Sequence, residues 1–180
     1  MIENEIVIRV MQYDDITEIL KALKEAYMIG REEQYKNYFN RCFEQNKNHE
    51  RVTWIAFVDS KVVGYVNIIY KSAYTYFAGN NIPEINDLYV TPTYRKQGIG
   101  KKLLDECEKF ASSTHQYIGL GVGLYKDYGS AQRLYTKNGY VLDGNGLTYN
   151  NVQVQPDKDV FVDDDLLLYL VKKLMTDISK

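Results

Sequence analysis

The segment "INDLYVTPTYRKQGIGKKLLDECEKFA", Ile85 to Ala111, changes its hydrophobic period midway, and that change narrows the folds open to the chain. Leu88 and Val90 alternate as in a strand, whereas Ile99, Leu103, Leu104, Cys107 and Phe110 recur at helical spacing, with Lys101 and Asp105 placed as an i,i+4 pair. The joint between them is RKQGIG, Arg95 to Gly100. A strand that ends in a glycine-bearing loop opening a helix presents unpaired N–H groups at the positive end of the helix dipole. Such a place receives anions, most often phosphate. Taken alone, Gly98 and Gly100 also suit a plain turn.

The rest of the chain supplies a sheet for that unit to join. Ile6, Ile8 and Val10 alternate as a first strand. From Asp14 the period becomes helical through Ile16, Ile19, Leu20, Leu23, Ala26 and Tyr27, with Asp15 and Glu18 spaced as a capping pair and Gly30 as the stop. A second helix carries Tyr35, Tyr38, Phe39, Cys42 and Phe43 on one face, and "RVTWIAFVDSKVVGYVNIIY" reads as a hairpin turning at Asp59, Ser60 and Lys61. After the opening segment come an apolar strand "YIGLGVGL", a helix "YGSAQRLYTKN" and a strand "GYVLDG"; the run "VFVDDDLLLYLVKKL" suits strand or helix by pattern alone and is taken as a strand through Leu166 to Val171, because helices already cover the first half and the sheet needs closing. The expected order is strand, two helices, three strands, helix, strand, helix, strand, strand: a mixed sheet with helices on both faces. Crossovers through the two later helices predict parallel neighbours at the centre, where ligands gather at strand carboxyl ends.

Composition excludes several classes. With 180 residues and 45% hydrophobic content the chain can bury a core unaided, and a net charge of -2 gives no whole-chain bias toward nucleic acid. Cys42 and Cys107 are too few and too far apart for a disulfide framework or a metal site and read as core fillers. His49 and His115 stand isolated, without a partner at metal or triad spacing. The amino terminus lacks the pattern of a signal peptide and no run reaches the length of a membrane span, so a cytoplasmic protein acting neither on membranes nor on nucleic acid is expected.

Spelling separates the phosphate loops. A Walker loop needs glycine where Arg95 stands and Ser or Thr where Lys102 stands; the dinucleotide fingerprint needs a small residue where Leu103 stands. What matches is R-x-x-G-x-G after a strand, Arg95, Gly98 and Gly100, followed by A-x-x-L-Y-x-x-x-G-Y at Ala131, Leu134, Tyr135, Gly139 and Tyr140. In both motifs and their order the chain resembles the GNAT superfamily of acetyl-CoA-dependent N-acetyltransferases. The resemblance implies a single domain over residues 1–180, α/β (α+β), with a central mixed, mostly antiparallel sheet and helices on both faces.

It also implies a site. The N–H groups of Arg95, Lys96, Gln97, Gly98, Ile99 and Gly100, with Lys101 at the helix start, would cradle the coenzyme pyrophosphate; glycine permits close approach, and Arg95, Lys96, Lys101 and Lys102 add local positive charge, although Lys102 also suits a solvated helix start. Ile85 lies three residues before Leu88, so the apolar face slips around Asn86 and Asp87 as a bulge would make it slip. By resemblance, Leu88 and Val90 on that strand contact the pantetheine arm and thioester. Tyr135 holds the family position of the acid that protonates the leaving thiolate, and an ordinary phenol, with a pKa of about 10, keeps its proton at neutral pH. Glu84 resembles the glutamate base of histone-type members; Asp87 and a water chain are alternatives. Where many relatives carry asparagine this chain has Tyr128, and Ser130 could take over a polar contact.

The function implied is transfer of acetyl from acetyl-CoA, the co-substrate, to a primary amine on a small molecule or peptide, by direct attack in a ternary complex and without a metal. A catalytically weak acyl-CoA-binding sensor is the alternative. The stretch "MIGREEQY" and the piece "DGNGLTYNNVQVQPDKD" are expected to frame the acceptor, their acidic and aromatic residues suiting a cation. The resemblance allows a homodimer.

Overall fold

Alternation at the amino terminus becomes strand β1, Ile6–Val10, paired antiparallel with β2, Arg51–Val58, so that Ile6 faces Val58 and Val10 faces Trp54. The computed structural model describes residues 5–24 and 30–175. Between these strands lie α1, Asp15–Lys24, and α2, Glu32–Lys47; after them come β3, Lys61–Ile69, α3, Thr75–Gly79, β4, Glu84–Val90, α4, Ile99–Ser112, β5, Tyr117–Gly123, α5, Gly129–Lys137, β6, Val141–Tyr149, β7, Val152–Gln153, and β8, Leu166–Lys173. Hydrogen bonding orders the strands β1-β2-β3-β4-β5-β8-β6-β7. β4 and β5 run parallel, whereas β5–β8, β6–β8 and β6–β7 are antiparallel, which makes the sheet mixed. The chain divides into two compact units, Met1–Ile68 with Asp87–Glu106, and Ile69–Asn86 with Cys107–Lys180.

In the first unit the β2–β3 turn places Asp59 and Ser60 at φ +49° and +62°, the left-handed pair that a two-residue hairpin requires. The core gathers Ile16, Ile19 and Leu23 of α1 with Phe39 and Cys42 of α2 against Ile55, Val62 and Tyr65. Tyr65 meets Phe39 edge to face at 5.1 Å, while the Cβ direction of its neighbour Gly64 leads to Leu103 of α4. Successive strand residues point to opposite faces, so α2 and α4 cover opposite sides of β3. The expected capping pair is corrected: the Asp15 carboxylate binds the Arg9 guanidinium at 2.7 Å and accepts the Gln12 N–H, and Glu18 pairs with Lys21. Ala26 and Tyr27 lie outside the described residues.

The second unit contains what the pattern did not reveal. β5 carries glycine at every second position, and its partners are rings: a Cβ on Gly119 would lie 2.2 Å from Phe77, and one on Gly123 would lie 2.4 Å from Tyr128. Phe77 comes from α3, an unexpected single turn of helix, and joins Tyr74, Ile82 and Tyr169 in a second core where Tyr74 and Tyr169 stack at 3.8 Å. On the other face of β8, Lys172 pairs with Glu108 at 2.6 Å and lies over the Tyr140 ring. Parallel pairing through both late helices is also corrected, because β8 separates β5 from β6. Its run LLLYLV suits a strand buried on both faces, and the bulged, glycine-bearing β6 is left further out. "GLTY" extends β6 rather than forming a connection, and Asn150 and Asn151, at φ +51° and +62°, turn it into β7. Phe110, read as a core position, is 38% exposed and lies against Tyr70.

Candidate active site

The end of β4 is anchored by the Thr91 N–H, which donates to the Val63 carbonyl at 2.8 Å. A 3-10 turn over Pro92–Tyr94 follows, and the Arg95 Nε–H reaches back to the Val90 carbonyl at 2.9 Å. Lys96 and Gly98 then adopt φ +62° and +81°. For lysine this is an uncommon conformation, while at Gly98 the absent Cβ removes its cost. The N–H of Lys102 donates to the Gly98 carbonyl at 3.0 Å, so the N–H groups of Ile99, Gly100 and Lys101 precede the first carbonyl they could bind within α4. Nothing lies within 4 Å of a Cβ built on Gly98. The residues therefore fit a phosphate-type anion through backbone donors at a helix start.

Two of the cationic side chains here have partners within the protein. Lys101 closes on Asp105 at 2.6 Å, and the Arg95 Nε–H is directed to its own strand. Lys96 and Lys102 are exposed. Leu88 and Val90 are half-buried on β4, one turn of chain before this loop.

Asp87 confirms an irregularity in β4, with φ +51° in a residue other than glycine. Its exposed carboxylate accepts a hydrogen bond from the Tyr38 phenol of α2. That phenol oxygen in turn accepts from Arg51 and from Asn67, each at 3.1 Å, and the Asn67 side-chain oxygen accepts from Thr53 at 2.7 Å. Asn67 and Thr53 are fully buried and Arg51 nearly so. Burial, then the Asp87 charge, push the Tyr38 phenol far above its ordinary pKa.

In the second unit Glu84 opens β4 opposite Gly119 and is buried, at 7% exposure. Ser72 donates its hydroxyl to the Glu84 carboxylate and accepts the Tyr74 N–H at 2.9 Å. Tyr135 is likewise 7% exposed on α5, near Tyr140, whose N–H caps the Tyr135 carbonyl at 3.1 Å. Ser130 is exposed in the first turn of the same helix. Tyr128 does not imitate an asparagine amide: its ring covers Gly123 and its hydroxyl donates to Asp164 at 2.9 Å. Burial first, then that hydrogen bond, raise its phenol pKa, while the Asp164 bond takes Tyr125 to about 12.

The profile of the Acetyltransferase (GNAT) family matches residues 15–140. The chain belongs to the GNAT acetyltransferase family. Among curated relatives, an uncharacterized N-acetyltransferase from Archaeoglobus fulgidus is 27% identical over 117 residues, 62% of this chain and 77% of that protein. The PaiA N-acetyltransferase from Thermoplasma acidophilum, solved in complex with coenzyme A, superposes with a TM-score of 0.64 at 19% identity, over 94% of this chain and 99% of that one. A spermidine N-acetyltransferase chimera from Vibrio cholerae gives 0.65 at 15% identity, over 93% and 95%. These likenesses show the shared GNAT fold.

The GNAT motif residues thus fall in two sets. Leu88, Val90 and residues 95–101 form one continuous strand-loop-helix in the first unit; Glu84, Ser130 and Tyr135 belong to the second. Sequence reasoning missed Ser72 beside Glu84 and the Tyr38 network around Asp87, since neither follows a spacing rule. Among the described residues no group of three or more His, Cys, Asp and Glu side chains could hold a metal, and no helix is long and apolar enough to cross a membrane.

Proposed function

We propose that the chain, acting as one N-acetyltransferase domain, moves the acetyl group of acetyl-CoA to a primary amine by direct attack in a ternary complex. Acetyl-CoA supplies the acetyl group as a thioester. The observation that carries the reading is the start of α4 in a GNAT chain: three N–H groups without helical acceptors, behind a left-handed Gly98 at the end of β4.

In this reading residues 95–101 hold the pyrophosphate, mainly through backbone donors. Leu88 and Val90 present strand groups to the pantetheine arm, with Ser130 as a further polar contact. An N–H of the irregular strand at Leu88, aimed at the thioester oxygen, stabilises the charge developing there by about 3 kcal/mol. The amine becomes neutral before attack by giving its proton to Glu84, which Ser72 holds in place. Tyr135 donates its proton to the departing thiolate, and the second proton shed by the attacking nitrogen as the amide forms returns to the Tyr135 phenolate, so that coenzyme A leaves as the thiol and the proton on Glu84 passes to solvent.

The experiment is a calorimetric titration with coenzyme A combined with free-thiol measurement across a panel of primary amines and acetyl-CoA. Binding with amine-dependent thiol release supports acetyl transfer. Tight binding with no turnover by any amine favours a coenzyme-binding sensor.

A further inference from the structure

Outside the glycine loop, the Asp87 carboxylate is held by a directed hydrogen bond from Tyr38. A phenol has one proton and room for two incoming donors. Arg51 and Asn67 occupy both acceptor positions on Tyr38, so its proton is committed to Asp87. Among the described residues Tyr38 is the one hydrogen-bond donor to that carboxylate, and the carboxylate itself is exposed. Arg51 reaches the same phenol oxygen but is buried.

The surroundings are aromatic. Tyr65 and Tyr89 lie with ring centroids 5.5 Å apart, Phe39 meets Tyr65 edge to face at 5.1 Å, and Tyr35, Tyr38 and Tyr89 pack on the same core cluster. The Asp87 charge reaches Tyr65, where, after burial, it helps to push that phenol upward, together with Tyr35 and Tyr89. A fixed, exposed carboxylate favours a cation by charge, and the half-buried Tyr38 phenol bonded to it and the half-buried Tyr89 two residues along β4 offer ring surface for cation–π attraction. Acetyl transfer, however, needs a neutral nitrogen at the reacting end. A carboxylate that held the reacting nitrogen as a cation would oppose attack, so it suits a second cationic centre on the same molecule.

We infer that Asp87, fixed by Tyr38 and two residues from Tyr89 on β4, binds a positively charged group of the acceptor, so that the acceptors are amines with a second cationic centre, such as diamines. This rests on the acetyltransferase reading above. Tyr38 is then a positioning residue, acting through the carboxylate it orients.

The test compares kcat/KM for 1,3-diaminopropane with that for propylamine, which has the same length and lacks the second charge. The wild-type chain should favour the diamine by about tenfold or more, through KM rather than kcat. Asp87→Asn keeps a residue tolerant of the left-handed backbone while removing the charge, and should bring the ratio to about threefold or less. In the wild-type chain alone, raising the salt concentration should shrink the preference, as expected for an exposed charge. Tyr38→Phe should reduce it partially. A wild-type ratio near one, or a diamine preference unchanged in Asp87→Asn, overturns the inference while acetylation of propylamine leaves the transferase reading standing. Acetylation of neither amine, nor of any other primary amine, overturns both.

Discussion

Tyr38 gives its only hydroxyl proton to Asp87, joining the middle of α2 to the point where β4 departs from regular strand geometry. The other side of the same oxygen receives the nearly buried Arg51 and the fully buried Asn67. Tyr38→Phe removes all three bonds and leaves two buried donors short of an acceptor. Unsatisfied buried donors cost about 1–3 kcal/mol each, reduced here because Arg51 retains Cys42 Sγ at 3.4 Å. A loss of about 2 kcal/mol is expected, read as a lower urea midpoint with an unchanged slope.

Alkaline pH should unfold the protein through its tyrosines. Tyr38 and Tyr128 are raised chiefly by burial, and Tyr125 is raised to about 12 chiefly by its bond to Asp164. The unfolded chain releases these protons at about pH 10, where the native state still holds them. The native state then binds more protons, so stability is fully present below about pH 10 and is lost as pH rises through the folded pKa values. Thermal melts from pH 8 to pH 12 should show this decline, with a shallower alkaline limb in Tyr38→Phe. Constant stability to pH 12 would contradict the account.

Gly98→Ala isolates backbone conformation from packing, because φ is +81° and the space around a new Cβ is open. A left-handed L-residue costs about 1–2 kcal/mol, which the loop can relieve only by moving its N–H groups. Calorimetry should therefore show at least about tenfold weaker coenzyme A binding, with a stability loss of about 1 kcal/mol.

Gly119→Ala tests the aromatic plug. Its Cβ would stand 2.2 Å from the Phe77 ring, and overpacking of this kind costs about 1–3 kcal/mol. Phe77→Leu made together with Gly119→Ala should recover part of that loss, since the smaller side chain vacates the contact. Equal stability of the wild-type and Gly119→Ala chains would mean that the ring does not occupy the groove.

How much of this was legible in the sequence follows from which features have local causes. The helix after RKQGIG, the hairpin at Asp59 and Ser60, and the slip near Asp87 are written in periods and turn residues a few positions apart. The pattern of β8 suited strand or helix and only the need to close the sheet favoured a strand; its place was not legible, because insertion between β5 and β6 depends on matching faces far apart in sequence. The short α3 has no amphipathic period to reveal it, and its Phe77 acts through glycines some forty residues later on β5. Of the site, the glycine loop was readable because phosphate binding uses backbone in one segment. The Lys101–Asp105 pair was readable for the same local reason, as an i,i+4 spacing, whereas the Tyr38 network draws on α2, β2, β3 and β4 at once.

The most direct measurement is the stoichiometry of one reaction: free thiol and acetylated amine quantified together after incubation with acetyl-CoA and a panel of primary amines. The account predicts that both appear in equal amounts with at least one amine, and that Tyr135→Phe slows both by about a hundredfold. Thiol released without acetylated amine, or none released with any amine, would contradict it.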